Sequence, residues 1–195
     1  ATAAPRPNGA VSVMPFGPEP PAGNLSVVVP LADGWNDFDI NLAHFGADPE
    51  FATAELVVVA ARSIADKITV RLKQCADFYG ISGRLVLSGT TLDAHDAMAL
   101  GVGEAARDRI LLLSPAVFPR AKGWLGALLR EFDALSSQAA LCPTLVYEDH
   151  SIRFAGTAAP PADCGFGAGG RTGYAADWID ATATIPVWAG TLDCC

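Results

Sequence analysis

The chain has 195 residues, about half of them apolar (51%) and 17% charged, enough to bury one sizeable core and too apolar for general disorder. Thirteen basic against 21 acidic residues leave a net charge of −8, and no basic run occurs, so the electrostatic footprint of nucleic-acid binding is absent. The longest apolar runs, LSVVVPLA and ILLLSPAVF, fall far short of the roughly 18 residues a membrane helix needs, which argues against a transmembrane segment.

Residues 1–23 hold six prolines and little apolar periodicity, and read as a linker or surface-draped arm. No charged stretch followed by an apolar one marks a signal peptide there. From Leu25 the texture changes. LSVVVP (25–30) is a continuous apolar run, the pattern of a strand buried on both faces, and it returns at ELVVVA (55–60), RLVLS (84–88) and RILLLS (109–114). Helical periods lie between these runs. Phe38, Leu42 and Phe45 share one face; Ile68, Leu72, Cys75 and Tyr79 share another, with Asp66 as the expected N-cap and Gly80 as the C-cap. Asp93 is placed to cap a third helix built on Ala94, Ala97, Met98 and Ala105 and weakened by Gly101 and Gly103. The fourth carries Trp124, Leu125, Leu128, Leu129, Phe132 and Leu135 on one side and Arg130, Glu131 and Asp133 on the other.

Four strands alternating with four helices predict right-handed βαβ units and a mostly parallel sheet covered by helices. Beyond them, LCPTLVYEDHSIRFAG (141–156) predicts two short strands around Glu148-Asp149-His150, a Gly/Ala-rich loop covers 157–173, and TIPVWAGTLDCC (184–195) is strand-like to its end. An apolar strand at the terminus suggests a piece of a longer chain, with further domains as partners.

The familiar α/β chemistries leave little trace. No GxGxxG follows the first strand, where Pro30-Leu31-Ala32-Asp33-Gly34 stands instead, and no GxxxxGK[ST] loop or GxSxG elbow occurs. The glycine run GFGAGG (165–170) follows PADC and reads as a mobile loop. His44, His95 and His150 are scattered, and Asp33, Asp37 and Asp39 read as helix-start residues complementing the dipole ahead of a metal cluster. Five cysteines without a CxxC pair read as reduced thiols in a cytoplasmic protein, and the adjacent Cys194-Cys195 carries little redox weight. Trp178, Trp188 and Tyr174 read as core packing at least as well as a sugar-stacking platform.

The run LLLSPAVFPRAKGWLGALL, followed by ALCPTLVYEDHSIRFAG, resembles the glycosyltransferase family 2 pattern, including its rhamnosyltransferase-like members. There a strand ends in an Asn-Ser-Asp-Val or Asn-Pro-Asp-Val turn, a Pro-x-x-x-Gly-Trp-Leu helix follows, and a Tyr-x-Asp-Gly-Ser-Ile-x-x-Ala-Gly hairpin comes later. LSVVVPL is similar to the family's opening strand and ELVVVAARS to its Val-Val-Asp-x-x-Ser strand. The resemblance covers about 25–195 and is most specific over 109–156. It implies a GT-A fold, a three-layer αβα sandwich in residues 24–195, that binds a nucleotide-diphosphate sugar at the strand carboxyl ends and transfers the sugar to a glycan acceptor. It also implies a Mg or Mn ion held by an aspartate to offset leaving-group charge, and a separate carboxylate as base. By position, the nucleotide-sugar site would comprise Pro30, Leu31, Ala60, Arg62, Ser63, Arg84, Ser114 and Ala116.

The departures from that pattern fall on its chemistry. Ala116 stands where the metal-linked aspartate belongs, Ser114 replaces the asparagine, Ala60 stands in place of the base-binding aspartate, and His150 replaces a glycine, while Ser63 keeps the matching serine. The expectation is therefore a catalytically degenerate domain with no metal ligand and no assignable catalytic residue. Arg62, Arg84 or Arg107 would be the substitutes for the missing cation, since guanidinium binds phosphate oxygens in fork geometry. The alternatives are a still active transferase in which such an arginine replaces the metal, a non-catalytic sugar-nucleotide-binding module and a scaffold domain.

Overall fold

The computed structural model describes residues 10–19, 23–31, 35, 38–119, 121–134, 140–143, 145–146, 152–154 and 184–187. Contacts divide the chain into two compact units, Ala1–Leu125 and Gly126–Cys195.

The first unit is α/β. In chain order it contains β1 (Val11–Phe16), β2 (Leu25–Leu31), α1 (Phe38–Ala47), β3 (Glu55–Ala61), α2 (Ala65–Tyr79), β4 (Gly83–Ser88), α3 (Ala94–Glu104) and β5 (Arg109–Leu112), and α4 (Trp124–Asp133) begins at its end. The strands form one mixed sheet in the order β1-β4-β3-β2-β5. β2, β3, β4 and β5 are mutually parallel, and β1 runs antiparallel along β4. Val11–Phe16 thus gives a strand to the segment read from sequence as a linker or arm.

The continuous apolar runs are central strands. Every residue of β2 is buried, and Val27, Val28 and Val29 are wholly so, each contributing about 1.5–3 kcal/mol by burial. β5 departs from the expected both-face burial. It is a strand of four residues paired, among the described residues, with β2 alone, and Ile110 and Leu112 are exposed on one face.

The connections explain the layers. β2 to β3 and β3 to β4 step one way across the sheet, whereas β4 to β5 returns past both. Right-handed crossovers then set α1 and α2 on one face and α3 on the other. α3 closes the second face over Val28, Val57, Val59, Val86 and Leu92, through Ala97 and Leu100. α1 supplies Phe38, Leu42 and Phe45, all wholly buried, with Phe45 stacked on Phe51 at a centroid distance of 4.3 Å.

The caps follow simple rules, with one exception. Gly80 ends α2 in the left-handed conformation (φ 68°), and the Asp93 carboxylate accepts from Asp96 N at 2.8 Å to start α3. Asp66 is not the expected N-cap. A turn of 3₁₀ helix over Arg62–Ile64 carries β3 straight into α2, so Asp66 falls inside the first turn, where it complements the dipole.

The second unit holds β6 (Ala140–Pro143) paired antiparallel with β9 (Thr184–Val187), and β7 (Leu145–Val146) paired antiparallel with β8 (Ile152–Phe154). The two strands expected around 148–150 are therefore present; of the strand-like segment expected over 184–195, Thr184–Val187 is a strand and 188–195 lie outside the described residues. Leu135, the GFGAGG loop, Trp178, Trp188, Tyr174, His150, Cys194 and Cys195 lie outside the described residues. No helix among the described residues is long and apolar enough to cross a membrane.

Candidate functional site at the switch point of the parallel sheet

In an open parallel sheet, ligands gather outside the strand carboxyl ends where the connection order reverses. Here the reversal lies between β2, which leads on to β3 and β4, and β5, which the chain reaches by crossing back. The crevice is thus flanked by Pro30 and Leu31 on one side and by Leu113 to Ala116 on the other.

Pro30 marks its floor. β5 pairs with β2 only as far as Val28, whose carbonyl accepts the last inter-strand bond, from Leu113 N at 3.0 Å. Backbone groups two residues apart on a strand point the same way, so the nitrogen of Pro30 is turned toward the side β5 has already left. A proline in a central strand would normally break the ladder. At this place there is no N–H to leave unpaired, and the Pro30 carbonyl faces the crevice.

Beyond β5 the chain turns sharply. Val117 N donates to Ser114 O at 3.0 Å and Ala116 N to Ser114 Oγ at 3.3 Å, so the serine side chain closes the turn on itself. Asn41, on the buried face of α1, reaches this turn and donates from Nδ2 to Pro115 O at 2.8 Å. Gly123 (φ 80°) then leads into α4 at Trp124, and Leu125 N donates to the buried Asp48 carboxylate at 3.4 Å.

The structure brings seven of the eight expected site residues to one edge. Pro30, Leu31, Ala60, Arg62, Ser63, Ser114 and Ala116 all lie at or just past the carboxyl ends of β2, β3 and β5. Arg84 does not belong with them. It is the second residue of β4 and lies at the amino end of the sheet, where its Nη2 pairs with Glu55 Oε1 at 2.6 Å and its Nη1 donates to Glu104 O at 3.2 Å. Glu55 is buried, and its other oxygen accepts from Ser26 Oγ at 2.6 Å and Ala106 N at 2.9 Å. A buried carboxylate with those partners holds Arg84 in place at the edge opposite the switch point.

The other two substitute cations divide. Arg107 precedes β5, again at the amino end, with its Nε buried and unpartnered among the described residues. Arg62 is exposed at the correct edge, but it donates to Ser12 Oγ at 2.9 Å and so reaches across β4 toward β1, away from the crevice. Lys122, which was not singled out from the sequence, is exposed in the loop between β5 and α4, shortly before Trp124 and Leu125 meet Phe45 and Asp48 at the far end of α1.

Among the described residues, Arg62 is the one ionisable side chain at the ends of β2, β3 and the β5 turn. Leu31 and Ala60 are buried and carry no ionisable group, and Ala116 is exposed. A recess between the end of β3 and α3, lined by Val59, Ala60, Ala61, Leu92 and Ala97, has a volume of about 10 Å³, enough for one water. Among the described residues no group of three or more His, Cys, Asp or Glu side chains could hold a metal ion. Asp39 is held by Arg71, which also lies over the Trp35 ring at 5.1 Å, while His44 and His95 sit apart on α1 and α3.

Sequence reasoning missed Asn41, although a signal was present. It falls on the same helical face as Phe38, Leu42 and Phe45, so a polar amide was bound to be buried there and to need a partner. No family model, curated protein or solved structure matches the chain.

Proposed function

We propose that this chain is a GT-A-like domain related to family 2 glycosyltransferases, a sugar-nucleotide-binding domain in which metal-dependent transfer has been lost. The observation that carries the reading is the placement of Ala116. The parallel strands run in the order β4-β3-β2-β5, the turn after β5 stands at the switch point, and this turn is where the resemblance puts a metal-binding aspartate. Ala116 and Ala60 offer no ligand oxygen beyond their backbone, so the residues present do not fit the Mg or Mn ion of the family pattern, and no catalytic step is assigned through it. A glycan acceptor is left without a carboxylate base among the residues aligned with the motif.

What remains for a diphosphate is the hydroxyl donors of small side chains. Ser114 and the exposed Ser63 can each donate an O–H to phosphate oxygen, whereas the Pro30 carbonyl, an acceptor, can meet only a donor such as a sugar hydroxyl. Arg62 could reach a diphosphate there only by leaving Ser12.

A second reading, a scaffold domain without sugar-nucleotide affinity, is favoured by one observation: the recess beside Ala60 is apolar and too small for a nucleoside. Calorimetric titration with UDP-, GDP- and dTDP-sugars, with and without Mn²⁺, separates the readings. Micromolar binding that is indifferent to Mn²⁺, weakened about tenfold by Arg62→Ala and unchanged by Arg84→Ala, is the expected result. Binding that requires Mn²⁺ would overturn the loss of metal chemistry, and no binding to any donor would leave the scaffold.

A further inference from the structure

We propose that Asn41 is a positioning residue that clamps the Ser114–Ala116 turn to α1 and so fixes the shape of the switch-point crevice. It is the fourth residue of α1 and is wholly buried, yet among the described residues its one side-chain hydrogen bond is with a loop 74 positions away in sequence. That contact is specific in direction. Pro115 has no N–H, and its carbonyl can only accept, so Nδ2 must face the turn at 2.8 Å and Oδ1 must point away from it. Oδ1 is buried and meets no hydrogen-bond donor among the described residues.

This half-satisfied amide is a poor device for stability alone. The gain from one buried hydrogen bond and the cost of one unpaired buried oxygen are of the same order, so an apolar side chain of similar size would serve the core as well. What an apolar side chain could not do is hold Pro115. Among the described residues the turn has no other hydrogen bond to the sheet. Its own bonds, Val117 N to Ser114 O and Ala116 N to Ser114 Oγ, are internal, and the last ladder bond stops at Leu113. Asn41 ties the free end of β5 to α1, the helix that follows β2, and so links the two strands between which the crevice opens. The nucleotide role of this clamp rests on the function proposed above; the clamp itself does not.

The experiment uses the full chain with Asn41→Val and Asn41→Ala, the first of similar size and the second smaller. Hydrogen exchange of the 113–119 amides is followed beside thermal unfolding, and the same UDP-, GDP- and dTDP-sugar titration is repeated on each variant. Exchange at Ala116 and Val117 is expected to quicken at least tenfold in Asn41→Val while β2 and β3 amides stay protected and the unfolding temperature moves by no more than a few degrees. Sugar-nucleotide affinity should fall by a similar factor. Unchanged exchange in the turn, an increase spread evenly over the sheet, or unfolding of both variants would each overturn the clamp. Faster local exchange in a protein whose wild type binds no sugar nucleotide would sustain the clamp and sink the nucleotide reading instead. Local loosening with undiminished affinity would overturn the link between the two.

Discussion

Asp39 takes three contacts at once: both carboxylate oxygens meet the Arg71 guanidinium, and Cys75 Sγ lies 3.7 Å from Oδ1. The Cys75 thiol is held above its ordinary pKa, first by desolvation, then by the Asp39 charge and hydrogen bond, with Arg71 opposing. The sign of the linkage follows: a raised thiol pKa favours folding while the thiol is protonated and loses that contribution as pH climbs through the folded value. At a pH where an ordinary thiol is partly thiolate, Cys75 should hold a smaller thiolate fraction and alkylate more slowly. Asp39→Asn removes the repelling charge and leaves Arg71 beside the sulfur, so both changes act downward. Alkylation of the Cys75 peptide by iodoacetamide, timed by mass spectrometry, should become several-fold faster, and an unchanged rate would show that Asp39 does not control the thiol. At this scale the sequence was informative where position along a strand mattered. Ala60 and Ser114 close apolar runs and so had to lie at the carboxyl edge. Arg84 opens its run, which already placed it at the other end, but its partner Glu55 opens a different run, and no local pattern announces a pair 29 residues apart.

α3 shows why element-level reading succeeds in outline and errs in its reasons. Its existence followed from Asp93 and the period of its small residues, but Gly101 and Gly103 were both taken as weaknesses. Only the second is one. A Cβ on Gly101 would stand 2.4 Å from Val28 Cγ1 and 2.9 Å from Val59 Cγ2, so its absence lets the helix approach the sheet, whereas Gly103 has no atom within 4 Å of the same position. Propensity alone would favour alanine at both by roughly 0.5–1 kcal/mol. Gly101→Ala should instead lower unfolding free energy by about 1–3 kcal/mol through overpacking, and Gly103→Ala should raise it by about 0.5–1 kcal/mol. Urea unfolding of the two variants side by side gives the comparison; equal shifts of the same sign would refute the close approach. The parallel strands were legible for the opposite reason. Their burial on both faces writes an unbroken apolar run into the chain, and β5, paired among the described residues with β2 alone, departs from that rule with exposed Ile110 and Leu112.

At the scale of the whole molecule, the feature least visible beforehand is β1. Six prolines made the N-terminal segment look unstructured, yet Val11–Phe16 pairs along the full length of β4, from Val11 beside Ser88 to Phe16 beside Gly83. Pro15 is tolerated because β1 is an outer strand with neighbours on one side only. The physical demand comes from the sheet: β4, buried through Leu85 to Ser88, would otherwise present its backbone N–H and C=O groups as an open template for other strands. An antiparallel strand is also the cheap solution, since a parallel one would need another crossover helix. Removing residues 1–19 should therefore do two things that loss of a disordered tail would not. At a few tenths to about 1 kcal/mol per cross-strand pair, it should cost roughly 3 kcal/mol, or about 5–10 °C in unfolding temperature for a chain of this size. It should also uncover the β4 edge, so that light scattering after size exclusion finds dimers or larger species growing with concentration where the full chain does not. A truncated protein that melts at the original temperature and elutes at the original mass would mean that β1 lies on the sheet without closing it.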